Sequence, residues 1–194
     1  MSADPWLQRW MPRLLDAARG LPVLELGCGD GADTEVLAAA GLQVVAIELD
    51  EAQAERTRRR VPAAEVLVGD LRQPWPRGAG AYGVVVASLS LHYFPWPETV
   101  AIVGRTHRAL RPGGLLACRL NSTEDHHYGA SGHEAIEPDY YRVDGVPKRF
   151  FDEAAVRRLF SDGWRVEACA HRVTYKYVKP KALWELVLER EPAG

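Results

Sequence analysis

The chain has 194 residues, 47% of them hydrophobic, with 26 acidic against 24 basic side chains and a formal net charge of -2. Such a length and composition fit one globular domain with a substantial core, and the near balance of charge argues against a nucleic-acid surface as the dominant partner. The three cysteines, Cys28, Cys118 and Cys169, form no C-x-x-C pair, which argues against a disulfide scaffold or structural zinc and suits a reducing cytoplasm.

In chain order the pattern alternates helix and strand. A helix over Pro5–Arg19 carries Asp4, Arg9 and Arg13 at or near its start, charges that speak against a cleaved leader. Trp6 and Trp10 share one face of it and read as a cover for a sheet. The first strand, Pro22–Leu26, runs into Gly27, Gly29 and Gly31. Glycines so closely spaced let the backbone turn tightly and offer its N–H groups to a ligand with no Cβ in the way. A helix over Ala32–Ala40 ends at Gly41. The second strand, Gln43–Glu48, closes on a carboxylate about 20 residues beyond the glycines, where nucleotide-binding folds place the acid that holds a ribose. A carboxylate there accepts charge-assisted hydrogen bonds from both ribose hydroxyls. Asp50 caps the next helix, whose basic run Arg56 to Arg60 reads as a solvated face. A third strand ends in Gly69-Asp70-Leu71, and a fourth starts at Tyr82 and exits through Ala87-Ser-Leu-Ser-Leu-His-Tyr93. A helix over Glu98–Leu110 leads to Pro112-Gly113-Gly114 and a fifth strand. This alternation predicts a parallel sheet with helices on both faces. The C-terminal part predicts a helix over Asp152–Ser161 and strands over Trp164–Val173 and Trp184–Glu189, an antiparallel hairpin at the sheet edge.

Between the fifth strand and that helix lies Asn121–Phe150, rich in Gly, Pro, Tyr and His and without periodicity. A long irregular stretch in a compact domain is usually functional, and residues 121–150 read as a lid over a substrate pocket. Its acids (Glu124, Asp125, Glu134, Glu137, Asp139, Asp144) outnumber its bases (Arg142, Lys148, Arg149). A lid of that sign is expected to repel phosphates and to admit a neutral or cationic small molecule.

Taken together, the G-x-G-x-G spacing with Glu25 two residues ahead, the acid Glu48, the Gly-Asp-Leu of residues 69–71 and the Pro-Gly-Gly of residues 112–114 resemble the class I S-adenosylmethionine (SAM) dependent methyltransferases. The resemblance covers roughly residues 20 to 120. It implies an α/β fold: a Rossmann-like, doubly wound, seven-stranded, mostly parallel sheet with an antiparallel C-terminal edge hairpin, formed as a single domain over residues 1–194. It implies SAM as cofactor, with Glu25, Gly27, Cys28 and Gly29 at the methionine end and Glu48 with Leu49 at the ribose. Asp70 and Leu71 would meet the adenine, and the Ala87 carbonyl the methionine amino group. The chain departs from the pattern at Gly83, where the family often has Asp.

The exit of strand four lacks the Asn/Asp-Pro-Pro-aromatic signature of enzymes acting on exocyclic amines. It resembles instead the small-molecule branch, including the ubiquinone-pathway and tellurite-resistance methyltransferases. No ligand set of the metal-dependent type is identifiable, and His126, His127 and His133 have no fourth ligand at a usual spacing, so no metal is expected. In-line methyl transfer is accelerated largely by positioning. Where a base is needed, His92 and Tyr93, just past strand four, are the candidates, with Asp125 and Tyr128 in the lid as others. The implied partner is a small-molecule methyl acceptor, with no nucleic acid and no membrane. Two readings from other classes stand beside this one. A nicotinamide oxidoreductase requires a G-x-G-x-x-G loop, which the spacing opposes; a SAM-binding regulatory protein without catalysis stays open.

Overall fold

The computed structural model describes residues 5–192; Asp4 lies outside the described residues. The helices are α1 (Trp6–Ala18), α2 (Ala32–Ala39), α3 (Glu51–Arg60), α4 (Trp96–Ala109) and α5 (Glu153–Leu159). The strands are β1 (Val23–Leu26), β2 (Val44–Glu48), β3 (Glu65–Val68), β4 (Tyr82–Ser88) and β5 (Leu110–Asn121), then β6 (Glu134–Glu137), β7 (Tyr140–Val143), β8 (Val146–Arg149), β9 (Trp164–Thr174) and β10 (Lys181–Arg190). Seven strands form one sheet in the order β3-β2-β1-β4-β5-β10-β9. β1 to β5 pair in parallel, whereas β10 runs antiparallel to both β5 and β9. The doubly wound sheet with an antiparallel C-terminal hairpin is therefore present as expected.

The sequence of β1 and β4 explains their central place. Every residue of β1 is buried, and all of β4 save its last, because helices cover both faces and leave no solvated side to alternate with. Successive side chains of β4 serve opposite faces: Val84 and Val86 pack with Trp6, Leu14, Leu115 and Val187, while Val85 and Ala87 pack with Leu116, Cys118, Phe151 and Leu186. Asp50 accepts from the Gln53 N–H at 2.9 Å and caps α3. In that helix Arg58 donates to the Val66 carbonyl and Arg60 pairs with Asp30 at 3.3 Å, so the basic run is partly spent on internal contacts.

α1 is fastened to the end of the chain. Arg9 pairs with Glu185 at 2.7 Å, Arg13 reaches Glu167 at 2.6 Å and Glu189 at 2.7 Å, and the Trp10 indole N–H donates to Glu185. Among the described residues no helix is long and apolar enough to cross a membrane.

Residues 121–150 correct an expectation. They are not an irregular stretch: β6, β7 and β8 form an antiparallel three-stranded meander with its own small core of Ala130, Val143 and Phe150. Val143 pairs with Val146 across Asp144-Gly145, whose φ angles of 50° and 81° define the two-residue hairpin that Asp-Gly favours. Pro147 is tolerated because β8 is an edge strand.

Gly83 also has a physical reason. A Cβ built there would stand 2.4 Å from the Ala18 carbonyl oxygen and 2.5 Å from the Ala18 Cα, since the C-terminus of α1 rests directly on β4. Backbone cannot give way as a flexible side chain does. Gly83→Ala is expected to lower stability by about 1–3 kcal/mol through overpacking, and Gly83→Asp by more. Urea denaturation of the three proteins measures this; an unchanged midpoint for the alanine variant would refute the packing argument.

Candidate active site

β1 is flanked by β2 on one side and β4 on the other, so the strand order reverses between β1 and β4. Open α/β sheets bind ligands at that reversal, beyond the carboxyl ends of the strands. Here those ends open on a cleft of about 1140 Å³.

The glycine loop forms its near wall. Gly27, Gly29 and Gly31 have φ of 74°, 57° and 83°, in the region that favours glycine. A Cβ at Gly27 would come within 2.7 Å of the Ser90 Cβ, and one at Gly31 within 2.8 Å of Thr57, whereas Gly29 has nothing within 4 Å. The loop is held from outside. The Glu48 carboxylate accepts from the Gly29 N–H at 2.8 Å and the Asp50 N–H at 3.0 Å, and the Thr57 hydroxyl donates to the Gly29 carbonyl at 2.8 Å.

Charges of both signs meet at the end of the cleft nearest β1 and β4. Glu25 is buried and accepts the Thr34 hydroxyl at 2.6 Å. Burial pushes its carboxyl up to about 8; the Thr34 bond opposes this, while Asp33 and Glu48 add to it. Asp33 accepts the Trp6 indole N–H at 3.1 and 3.2 Å. Arg119, buried in β5, donates to the Ser88 hydroxyl at 2.9 and 2.7 Å, lies 4.6 Å over the Trp6 ring and stands 3.9 Å from Asp33. At the other end, the Arg72 guanidinium and backbone N–H bond to Asp70 and hold its carboxyl below the usual carboxylate range. The Leu71 carbonyl accepts from Trp75 and Arg105.

Of the residues singled out from sequence, Glu25, Gly27, Cys28, Gly29, Glu48, Leu49, Asp70, Leu71 and Tyr93 line the cleft. Ala87 does not; it is fully buried in β4, and Ser88 and Leu89 face the cleft in its place. His92 does not line it either. Its buried imidazole is pushed down to about 3, by burial first and then by Lys181 and Lys148, and its Nδ1 has no hydrogen-bond partner among the described residues. An imidazole so placed is neutral near pH 7. Tyr93, 46% exposed, stacks 4.1 Å from it.

The far wall is built by Tyr140, Val146 and Pro147 from the meander and by Lys176 and Tyr177 from the β9–β10 turn. The Tyr140 hydroxyl donates to the Tyr93 carbonyl at 2.9 Å. Arg149 donates to the carbonyls of Phe94 and Pro138, pairs with Glu137 and lies over the rings of Trp96 and Tyr140. None of the six acids of residues 121–150 lines the cleft. Glu137 is taken by Arg149 and Asp125 by Lys181 at 2.6 Å, so the carboxylates that do line the cleft come from other elements. Among the described residues no group of three His, Cys, Asp or Glu is placed to hold a metal.

Sequence reasoning missed Asp33, Arg119, Tyr140, Lys176 and Tyr177. Arg119 carried a signal, a cation inside the apolar run Leu115 to Leu120, since arginine is seldom buried without a partner. Lys176 and Tyr177 carried none, because only the return of β10 beside β5 brings their turn to the cleft.

Residues 23–114 match the family described as a methyltransferase domain. An uncharacterized methyltransferase of Synechocystis is 35% identical over 98 residues, covering 50% of this chain and 46% of its own length. A trans-aconitate 2-methyltransferase of Paracidovorax citrulli is 35% identical over 100 residues, covering 50% of this chain and 38% of its own. The chain thus spans less than half the length of these relatives. The fold is similar to an S-adenosylmethionine dependent methyltransferase of Mesorhizobium loti, with a TM-score of 0.75 at 19% identity, over 96% of this chain and 97% of the other.

The Glu25 carboxyl links the site to stability. Its folded value of about 8 lies above its ordinary 4.5, so between these limits the native state keeps a proton that the unfolded state releases. Stability therefore falls as pH rises through that window. Glu25→Gln is expected to remove this decline. Urea unfolding of both proteins at pH 5 and pH 8 measures it; an equal loss in the variant would refute the assignment.

Proposed function

We propose that this chain, which carries a class I SAM-dependent methyltransferase domain, transfers a methyl group from SAM to a small organic acceptor in the cleft beyond β1 to β4. The observation that carries the reading is the order of charges along the cleft. Glu25 and Asp33 oppose Arg119 at one end, Glu48 follows, and Asp70 lies at the other. That order suits a zwitterionic amino acid, a ribose diol and an aminopurine in turn.

In this reading Arg119 takes the amino-acid carboxylate and Asp33, with Glu25, the ammonium. Glu48 accepts from the ribose hydroxyls with a carboxylate already oriented by the Gly29 and Asp50 N–H groups. Asp70 meets the adenine amino group. SAM supplies a sulfonium-activated methyl that an acceptor displaces in line. The chain's part is to hold the acceptor atom about 3 Å away and collinear, and to exclude water from a step in which charge disperses. Residues 121–150 act as the acceptor lid within a single domain, through the contacts of Tyr140 and Arg149. Tyr93 borders the acceptor, and His92 supports its ring from below as a neutral group. The trans-aconitate 2-methyltransferases among the relatives are named for a small organic substrate, which accords with a small acceptor. The free cysteines accord with a cytoplasmic protein.

Calorimetric titration with S-adenosylhomocysteine, with NAD as control, tests the cofactor. Micromolar binding of the first alone is expected, weakened at least tenfold (about 1.4 kcal/mol) by Glu48→Ala. Binding of NAD instead would overturn the reading. Positioning catalysis further predicts that Tyr93→Phe lowers kcat by less than about tenfold, whereas a general base contributes about 10²–10⁴. Single-turnover methyl transfer from labelled SAM distinguishes the two.

A further inference from the structure

The acceptor half of the cleft has a charge that the sequence tally conceals. Lys176 lines it, and among the described residues its ammonium makes no ion pair with a carboxylate. Lys148, beside Pro147 on β8, has no carboxylate partner among them either. Burial first, and then the charges of Lys181 and Lys148, depress the His92 imidazole; burial also depresses Lys181, opposed by Asp125 and aided by Lys148 and Arg119. Lys176 and Arg119 line the cleft, whereas Lys148, Lys181 and His92 lie outside its lining. Lys181 pairs with Asp125 at 2.6 Å, and Arg119 stands 3.9 Å from Asp33. Carboxylates also line the cleft, from Asp33 and Glu48 to Asp70 and Glu98, and Glu98 stands 3.7 Å from Arg72. The apolar part of this lining includes Val146, Pro147 and Tyr177, with Tyr93, 46% exposed, facing the cleft.

An uncompensated ammonium in a partly enclosed, low-dielectric cleft attracts an anion far more strongly than one in open water. Flat aromatic walls favour an unsaturated or ring-shaped body. We infer that the methyl acceptor is an organic acid: a carboxylate carried on a flat apolar body, its charge held by Lys176 in a field strengthened by Lys148, its body against the exposed ring of Tyr93. This rests on the methyl-transfer reading above and narrows its acceptor. It also reverses the expectation of a neutral or cationic substrate drawn from the acids of residues 121–150.

The test compares matched probes that differ in charge, 4-hydroxybenzoate with 4-hydroxybenzamide and trans-cinnamate with cinnamamide. Each is titrated by calorimetry into the full chain saturated with S-adenosylhomocysteine. The acids are expected to bind at least tenfold more tightly than their amides. Lys176→Met is expected to abolish that preference while leaving S-adenosylhomocysteine affinity within twofold, which also shows that the variant is folded. Lys148→Met is expected to reduce the preference in part. Amides binding as well as acids, a preference unmoved by Lys176→Met, or no binding by any of the four probes overturns the proposal. Failure of S-adenosylhomocysteine itself to bind the wild-type protein counts instead against the methyl-transfer reading.

Discussion

The clamp on Gly29 is the constraint from which the site is built. Its N–H is held by the Glu48 carboxylate from β2 and its carbonyl by the Thr57 hydroxyl from α3. Both polar groups of one residue are thus fixed from a neighbouring strand and helix, and the loop follows the β2–α3 unit rather than moving as a free turn. The glycines on either side have no room for a side chain, one against Ser90 and the other against Thr57. The loop is thereby keyed to β4 on one flank and α3 on the other. A carboxylate pinned in this way is preorganised, so ligand binding need not include the cost of orienting it.

The opposite ends of the cleft are controlled by different physics. At the glycine loop the charges are buried and mutually compensated, with Glu25 held in an environment that favours its protonated form. At the far end Asp70 is partly solvated and stays ionised beside Arg72. Two carboxylates at the same edge of one sheet, Glu25 in β1 and Asp70 just past β3, therefore stand on opposite sides of their ordinary titration range because one is desolvated and the other is paired. The wall built by the meander and the β9–β10 turn differs again, setting Val146, Pro147 and Tyr177 beside Lys176. That division lets one cleft receive ligand parts of unlike polarity without a shared ligand set.

What was legible in the sequence follows from how local each signal is. β1, β2 and β4 announce themselves as apolar runs because they are buried on both faces. The glycine loop and the acids at 48 and 70 are legible because chain order places them at successive strand ends. The meander was missed although Asp144-Gly145 is a strong two-residue turn. Its strands are only four residues long, Pro147 interrupts one, and two of the three leave most side chains outside the core. Counting acids along residues 121–150 misjudged the cleft because net charge carries no information on facing. Glu137 and Asp125 are consumed by Arg149 and Lys181, and the lysine that does face inward lies outside that segment. Gly83 looked like a missing acid, yet its meaning is set by Ala18, a partner on another element that no local pattern reveals.

The insertion of β10 between β5 and β9 has a consequence in time. Residues 181–190 are made after every other described element, since synthesis runs from the N-terminus. Until they emerge, β5 has an open edge and β9 has no neighbour to pair with. Glu185 and Glu189, the anchors of Arg9 and Arg13 on α1, do not yet exist. The first helix must therefore wait for the last described strand before its cover of the sheet is secured. These contacts join opposite ends of the chain, and pairings so distant in sequence form slowly. The nascent protein passes through a stage with its central strands made and their flank bare, its edge exposed to pairing with other chains.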